Sequence, residues 1–296
     1  MEVRPIEHAK DALALVGDQL RAAGAEGELS HGILLRLVDE PDAWGEENTI
    51  LAGMEADRPV ALVSMTGSFP ALIVGFGDPG QVDVGAFAHA MLDAGRRPDA
   101  VNGALRWSEP FAQAWETVGA HAQVGRNMRA FELRRVRWPR EPEGRARGAE
   151  PGDLELLTRW VLAFAEEIDE AVTPEDARWV AERLQAVDDA LFWEAGGDPV
   201  SLAAIVRRTP LSSTVAYVYT PPELRGRGYA SAVVAHLSQR ELDRGAEWCS
   251  LFTDLANPTS NHIYAELGYE PRADFRVFEL VWGSAVSDGE AARPRN

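Results

Sequence analysis

Apolar residues recur at helical spacing over residues 7–23, a periodicity that predicts the first amphipathic helix of the chain. Residues 41–47 read as a short helical turn. The pattern then changes to period two, with strands at 49–54 and 59–64 joined by the polar turn Glu55-Ala56-Asp57-Arg58, and another near 71–74. A helix at 84–94, the stretch Val101-Asn102-Gly103-Ala104-Leu105, a helix through Trp115 and a strand at 129–133 complete the first half. Residues 139–148 carry no apolar periodicity and read as linker. Beyond them Leu154, Leu157, Val161, Phe164, Ala165 and Ile168 mark one helix face, and Thr173-Pro174-Glu175-Asp176 opens a second helix with a cap residue and a proline. Strands follow at Leu191-Phe192-Trp193, at 215–219 and at Leu251-Phe252-Thr253-Asp254.

The two halves repeat. Arg129-Ala130-Phe131-Glu132-Leu133 matches Arg276-Val277-Phe278-Glu279-Leu280, and Arg58-Pro59-Val60-Ala61-Leu62 matches Asp198-Pro199-Val200-Ser201-Leu202, in corresponding order. With 296 residues, the chain is expected to form two related domains, 1–138 and 152–283, joined by a linker at 139–151. The tail at 284–296 has no apolar pattern and is expected to be disordered.

The candidate chemistry lies in the second half. Arg225-Gly226-Arg227-Gly228-Tyr229-Ala230 follows the strand at 215–219 and its closing Thr220-Pro221-Pro222, and opens an amphipathic helix. A helix N-terminus carries N–H groups with no intrahelical partner at the positive end of the macrodipole, so it can hold a pyrophosphate. Glycine at 226 and 228 lets the backbone approach the anion, and the two arginines supply fork-shaped donors. A dinucleotide fingerprint would need glycine at 231, where the chain has Ser231.

The order Arg-x-x-Gly-x-Ala after this strand resembles the acetyl-CoA signature of the GNAT acyltransferase superfamily. The downstream run Asn257-Pro258-Thr259-Ser260-Asn261-His262-Ile263-Tyr264, leading into Leu267-Gly268-Tyr269-Glu270, extends the resemblance. It implies an α/β (α+β) fold of two GNAT-like domains, each a mixed, mostly antiparallel twisted sheet flanked by helices. It implies that residues 225–231 hold the phosphates of acetyl-CoA, and that a bulge around Val218, Tyr219 and Thr220 offers backbone N–H groups to the thioester. Asn257 and Asn261 would lie along the pantetheine, or serve as helix caps, and Tyr264 would protonate the departing thiolate. A base must deprotonate the attacking amine; the candidates are Glu194, after Leu191-Phe192-Trp193, and the cluster Glu166, Glu167, Asp169 and Glu170. The first half has Asp78-Pro79-Gly80-Gln81 and Trp115 at the corresponding places, so that copy is expected to be catalytically silent.

Charge and cysteine usage bound the reading. A net charge of −18 argues against nucleic acid as partner and favours a cationic small-molecule amine. The single cysteine, Cys249, reads as a buried small hydrophobe in a reducing, cytoplasmic setting. The six histidines lack ligand spacing, so no metal is expected. No apolar run reaches membrane-spanning length, and the first residues lack a signal-peptide core. The expected function is acetyl-CoA-dependent N-acyl transfer to a primary amine by direct attack, with a homodimer compatible. The alternatives are a non-catalytic module that binds CoA or the acceptor, and a transferase using aminoacyl-tRNA, against which the acidic balance counts.

Overall fold

The computed structural model describes residues 1–45 and 47–283; the tail expected at 284–296 lies outside them. In chain order the elements are β1 (Glu2–Pro5), α1 (Ala9–Ala22), α2 (Ala25–Asp39), β2 (Asn48–Glu55), β3 (Arg58–Thr66), β4 (Ala71–Gly75), α3 (Val84–Asp93), β5 (Ala100–Gly103), α4 (Leu105–Thr117) and β6 (Ala120–Leu133). They continue with β7 (Arg145–Gly148), α5 (Leu154–Glu167), α6 (Pro174–Ala186), β8 (Ala190–Ala195), β9 (Asp198–Arg208), β10 (Ser212–Tyr219), α7 (Tyr229–Asp243), β11 (Trp248–Asp254), α8 (Pro258–Glu266) and β12 (Glu270–Trp282). Among the described residues, no helix is long and apolar enough to cross a membrane.

Two compact units result, and they are not contiguous halves. The first comprises Met1–Val16, Leu37–Arg126 and the segment from Phe275; the second comprises Gly17–Arg36 and Asn127–Asp274. This differs from the boundary expected at 138. The two best-matching segments of the sequence repeat have changed places. The end of β6 pairs with β11, from Cys249↔Leu133 to Asp254↔Met128, while β12 pairs with β5 at Phe278↔Val101 and Glu279↔Ala100. Similar strands present similar edges, so sequence alone does not say which neighbour each one pairs with.

Among the described strand pairs, β4 with β5 in the first unit and β10 with β11 in the second are parallel and the others antiparallel. In the second unit α7 covers one face, packing Val233, Val234 and Leu237 on Val215 and Leu251. Helices α5 and α6 cover the other, where Leu157, Trp160, Ala177 and Leu184 meet Phe192 and Leu202. Three local differences stand out. Residues 41–45 form a turn rather than a helical one, with Gly45 at φ +93°. The expected linker contains the edge strand β7, paired to β8 from Arg145↔Glu194 to Gly148↔Leu191, which its Arg-Ala-Arg-Gly sequence concealed. Helix α2 gave no periodic signal because its buried side includes Gly27, Glu28, Ser30, His31 and Gly32.

A buried ionic staple joins β9, β10 and α7. Glu241 accepts from Arg208 (Nε 2.8 Å, Nη2 3.1 Å), from Ser213 Oγ (2.9 Å) and from Arg244 Nη1 (3.0 Å). Burial opposes its charge, but Arg208 and Ser213 outweigh that and hold the carboxyl below its usual range. Arg208 is 39% exposed and keeps Asp189 as a second partner at 2.6 Å, so losing the Glu241 carboxylate costs the smaller amount of a charge-assisted hydrogen bond, about 1.5–3 kcal/mol. Glu241→Gln should therefore lower Tm clearly at neutral pH. Because the folded pKa is depressed, this stabilisation is complete above the unfolded value of about 4.3 and fades as pH falls through the folded one. Thermal melts should show the two proteins converging in strongly acidic buffer.

Candidate active site

The parallel ladder between β10 and β11 is short. It runs from Ser212↔Trp248 to Val215↔Leu251 and ends there, although the strands continue to Tyr219 and Asp254. On its other side β10 slips one residue against β9, since Ala216 faces Ala204 but Tyr219 faces Leu202. The bulge thus lies at 217–218, slightly before the expected 218–220. Tyr217 there holds φ +50°, a conformation costing a bulky residue on the order of 1–3 kcal/mol. Residues 216–218 are half-buried whereas 212–215 are buried. Beyond Val215 the backbone groups on the β11 side have no strand partner, so they can hydrogen-bond an extended, amide-bearing ligand. The Tyr217 ring packs against Phe164 and the Tyr219 ring against Trp160, both of α5, at 5.3 and 5.8 Å between centroids. Val218 packs on the α7 side.

The chain next turns into α7. Thr220 closes the strand, Gly226 and Gly228 take φ +74° and +84°, and Gly228 is the N-cap of α7 with no side-chain cap bond. A Cβ on Gly226 would meet no atom within 4 Å, so the turn is open on that side. The N–H groups of Tyr229, Ala230 and Ser231 in the first turn are thereby left to an anion. Arg225 donates from Nε to the Thr220 carbonyl (2.8 Å) and from Nη2 to Glu167; Arg227 donates to the Glu223 carbonyl (3.2 Å). Glu167, expected as a base, thus stands beside the glycine turn in an ion pair with Arg225.

Asn257 caps α8, its Oδ1 accepting from Ser260 N at 3.0 Å. Asn261 ties the same loop together through Nδ2 to the carbonyls of Asp254 (3.1 Å) and Asn257 (2.7 Å), while its buried Oδ1 has no hydrogen-bond partner among the described residues. Tyr264 is buried against Phe131 and Tyr269, and this burial pushes the phenol well above its ordinary pKa, so it stays protonated through the neutral range. His262 on the same helix is exposed. Glu194 is placed elsewhere: it lies on β8, with β9 between it and β10, and hydrogen-bonds Arg147 (2.7 Å) and Arg145 (2.9 Å). Those two arginines hold its carboxyl below the usual range, which makes it a weaker proton acceptor than an unpaired carboxylate.

The first unit repeats this architecture with the cleft filled. Its parallel ladder runs from Ala71↔Val101 to Ile73↔Gly103, and a Cβ on Gly75 would lie 2.2 Å from the Trp107 indole, so that ring rests directly on the strand end. The N-terminus of α3 is capped by Asp83, which accepts from Ala86 N at 3.3 Å, and Asp78 accepts from Gly80 N at 3.0 Å. Two carboxylates occupy the donors an anion would use. Trp115 is fully buried against Phe111 and Trp282.

Comparison with solved structures decides the fold. A GCN5-related N-acetyltransferase from Sphaerobacter thermophilus superposes with a TM-score of 0.65 at 17% identity, covering 95% of this chain and 96% of that one. The chain has the GNAT fold. An acetyltransferase of the GNAT family from Colwellia psychrerythraea gives 0.59 at 10% identity, covering 96% and 100%. A tandem GNAT protein from the clavulanic acid biosynthesis pathway gives 0.57 at 14% identity, covering 96% and 99%. Residues 194–278, within which the GNAT-like turn and Tyr264 lie, match the family model described as FR47-like protein. No curated protein sequence matches the chain.

Cys249 takes no part in this site. It is fully buried, its Sγ 3.5 Å from the Ser238 carbonyl, and burial pushes its thiol up to about 12. The folded protein should leave a thiol reagent unreacted at neutral pH, with one equivalent titrating only after denaturation.

Proposed function

We propose that the second unit transfers an acetyl group from acetyl-CoA to the primary amine of a small molecule by direct attack, and that the first unit performs no transfer. The observation that carries this reading is the early end of the β10–β11 ladder beside the uncapped start of α7. Free strand edges suit the amides of a pantetheine arm, and an uncapped helix start suits a pyrophosphate. The donor, once bound, supplies an acyl thioester already activated toward an amine. Backbone N–H groups of the bulge stabilise charge growing on the carbonyl oxygen. Tyr264, a phenol protonated at neutral pH, donates its proton to the leaving sulfur, while the proton lost by the attacking amine passes to solvent water, from which the phenolate is reprotonated. Glu166, Glu167, Asp169 and Glu170, at and just beyond the end of α5, with the −18 net charge, draw in a cationic acceptor. The lone buried thiol suits a reducing, cytoplasmic setting.

Calorimetry with acetyl-CoA tests the reading directly. One site per chain is expected, weakened about a hundredfold or more when Arg225 and Arg227 are both replaced by Gln, since hydrogen bonds to charged groups contribute about 1.5–3 kcal/mol each. Two sites per chain would overturn the silent first unit, and the absence of binding would overturn the transfer itself. With an amine identified by CoA release, Tyr264→Phe should lower kcat and leave KM for acetyl-CoA nearly unchanged.

A further inference from the structure

Helix α2 carries a carboxyl group into the sheet that bears the cleft. Glu28 is 2% exposed, and its Oε1 accepts from Ser212 Oγ at 3.0 Å and from Thr214 Oγ1 at 2.6 Å. Both hydroxyls sit on β10, two residues apart and so on one face, directly before the ladder to β11 ends. Thr214 in turn accepts from Ser250 Oγ of β11 at 3.2 Å, and those two residues are register partners. On the other side Ser212 Oγ lies 2.8 Å from Thr209 Oγ1. Since Ser212 and Thr214 each spend their one proton on Glu28, the chain has a fixed direction: Ser250 to Thr214 to Glu28, and Thr209 to Ser212 to Glu28. One carboxyl oxygen ends both branches.

The docking of α2 is specific to this contact. One turn after Glu28, Gly32 lies over Arg207, where a Cβ would come 1.9 Å from the arginine Cδ, so only glycine lets the helix approach this closely. Arg207 is the register partner of Thr214 on β9. The helix therefore bears on β9 and β10 at the closed end of the opening, and reaches β11 through the Thr214–Ser250 hydrogen bond. The β10 register also shifts against β9 between Thr214 and Val215, so the ladder there is irregular and has little stiffness of its own.

We infer that Glu28 is a positioning residue for the proposed transfer, fixing where β10 parts from β11 by ending the hydroxyl chain that joins them. It touches neither donor nor acceptor; it acts through Thr214 and Ser212 on the segment 215–219. This rests on the proposed acetyl-CoA site. Glu28→Leu removes the terminal acceptor, whereas Glu28→Gln retains an amide oxygen that can take its place. Leu34→Ala, a fully buried position of the same helix outside the hydroxyl chain, controls for loss of stability alone.

The test combines acetyl-CoA calorimetry with amide hydrogen exchange on the full chain, at a temperature where melts show every variant folded. Glu28→Leu should raise Kd about tenfold, the scale on which small misplacements act, and speed exchange at 215–219. Glu28→Gln should restore most of both, and Leu34→Ala should leave both near wild type. Unchanged Kd and unchanged exchange at 215–219 in Glu28→Leu would overturn the inference, as would equal changes in Leu34→Ala. If the wild-type chain itself binds no acetyl-CoA, the proposed function fails, and the exchange result alone decides the role of Glu28 in setting the strand opening.

Discussion

A parallel pair of strands that stops pairing after four residues is the constraint on which the candidate site depends. Parallel neighbours need a crossover, and α7 supplies it, so the start of that helix necessarily stands at the carboxyl end of β10. Because β10 bulges at 217–218 and leaves β11 at Val215, the place where backbone groups lose their partners is also the place where a helix presents free N–H groups. Two kinds of unsatisfied donor, one from a strand edge and one from a helix end, converge without any side chain being required. The strained Tyr217 marks the same spot, which is where a fold stores conformational cost that its surroundings hold in place.

The first unit shows the same constraint with the opposite outcome. Its ladder between β4 and β5 ends after three pairs, yet the indole of Trp107 rests on Gly75 and Asp83 and Asp78 take up N–H groups at and before the start of α3. The two units thus share this local backbone plan, while in the first unit side chains satisfy from within the kind of groups that the second leaves without a side-chain partner.

The polar interior of the second unit follows a related logic. Glu241 and Glu28 both sit where a hydrophobic residue would pack, and both gather hydroxyls or guanidinium groups from adjacent strands. Buried polar groups of this kind are costly unless satisfied, but they fix register where apolar packing would allow strands to slide. Irregular strands such as β10, interrupted twice against β9, have the most need of that.

The glycine-rich turn, the capped helix α6 and most strands were legible in the sequence, because turn chemistry and period-two or 3.6-residue patterns are local properties of the chain. The contrast between Arg225-Gly226-Arg227-Gly228 and Asp78-Pro79-Gly80-Gln81 was equally local, and it pointed to the half with the open helix start. Helix α2 was not legible, since a buried face of Glu28, Ser30, His31 and two glycines carries no apolar period. Nor could the residue pattern show that Glu194 is held by Arg145 and Arg147, that the bulge falls at Tyr217, or that β6 pairs with β11 and β12 with β5. Those are decided by which strand edges meet, and edge complementarity between segments over a hundred residues apart exists only once the tertiary structure has formed.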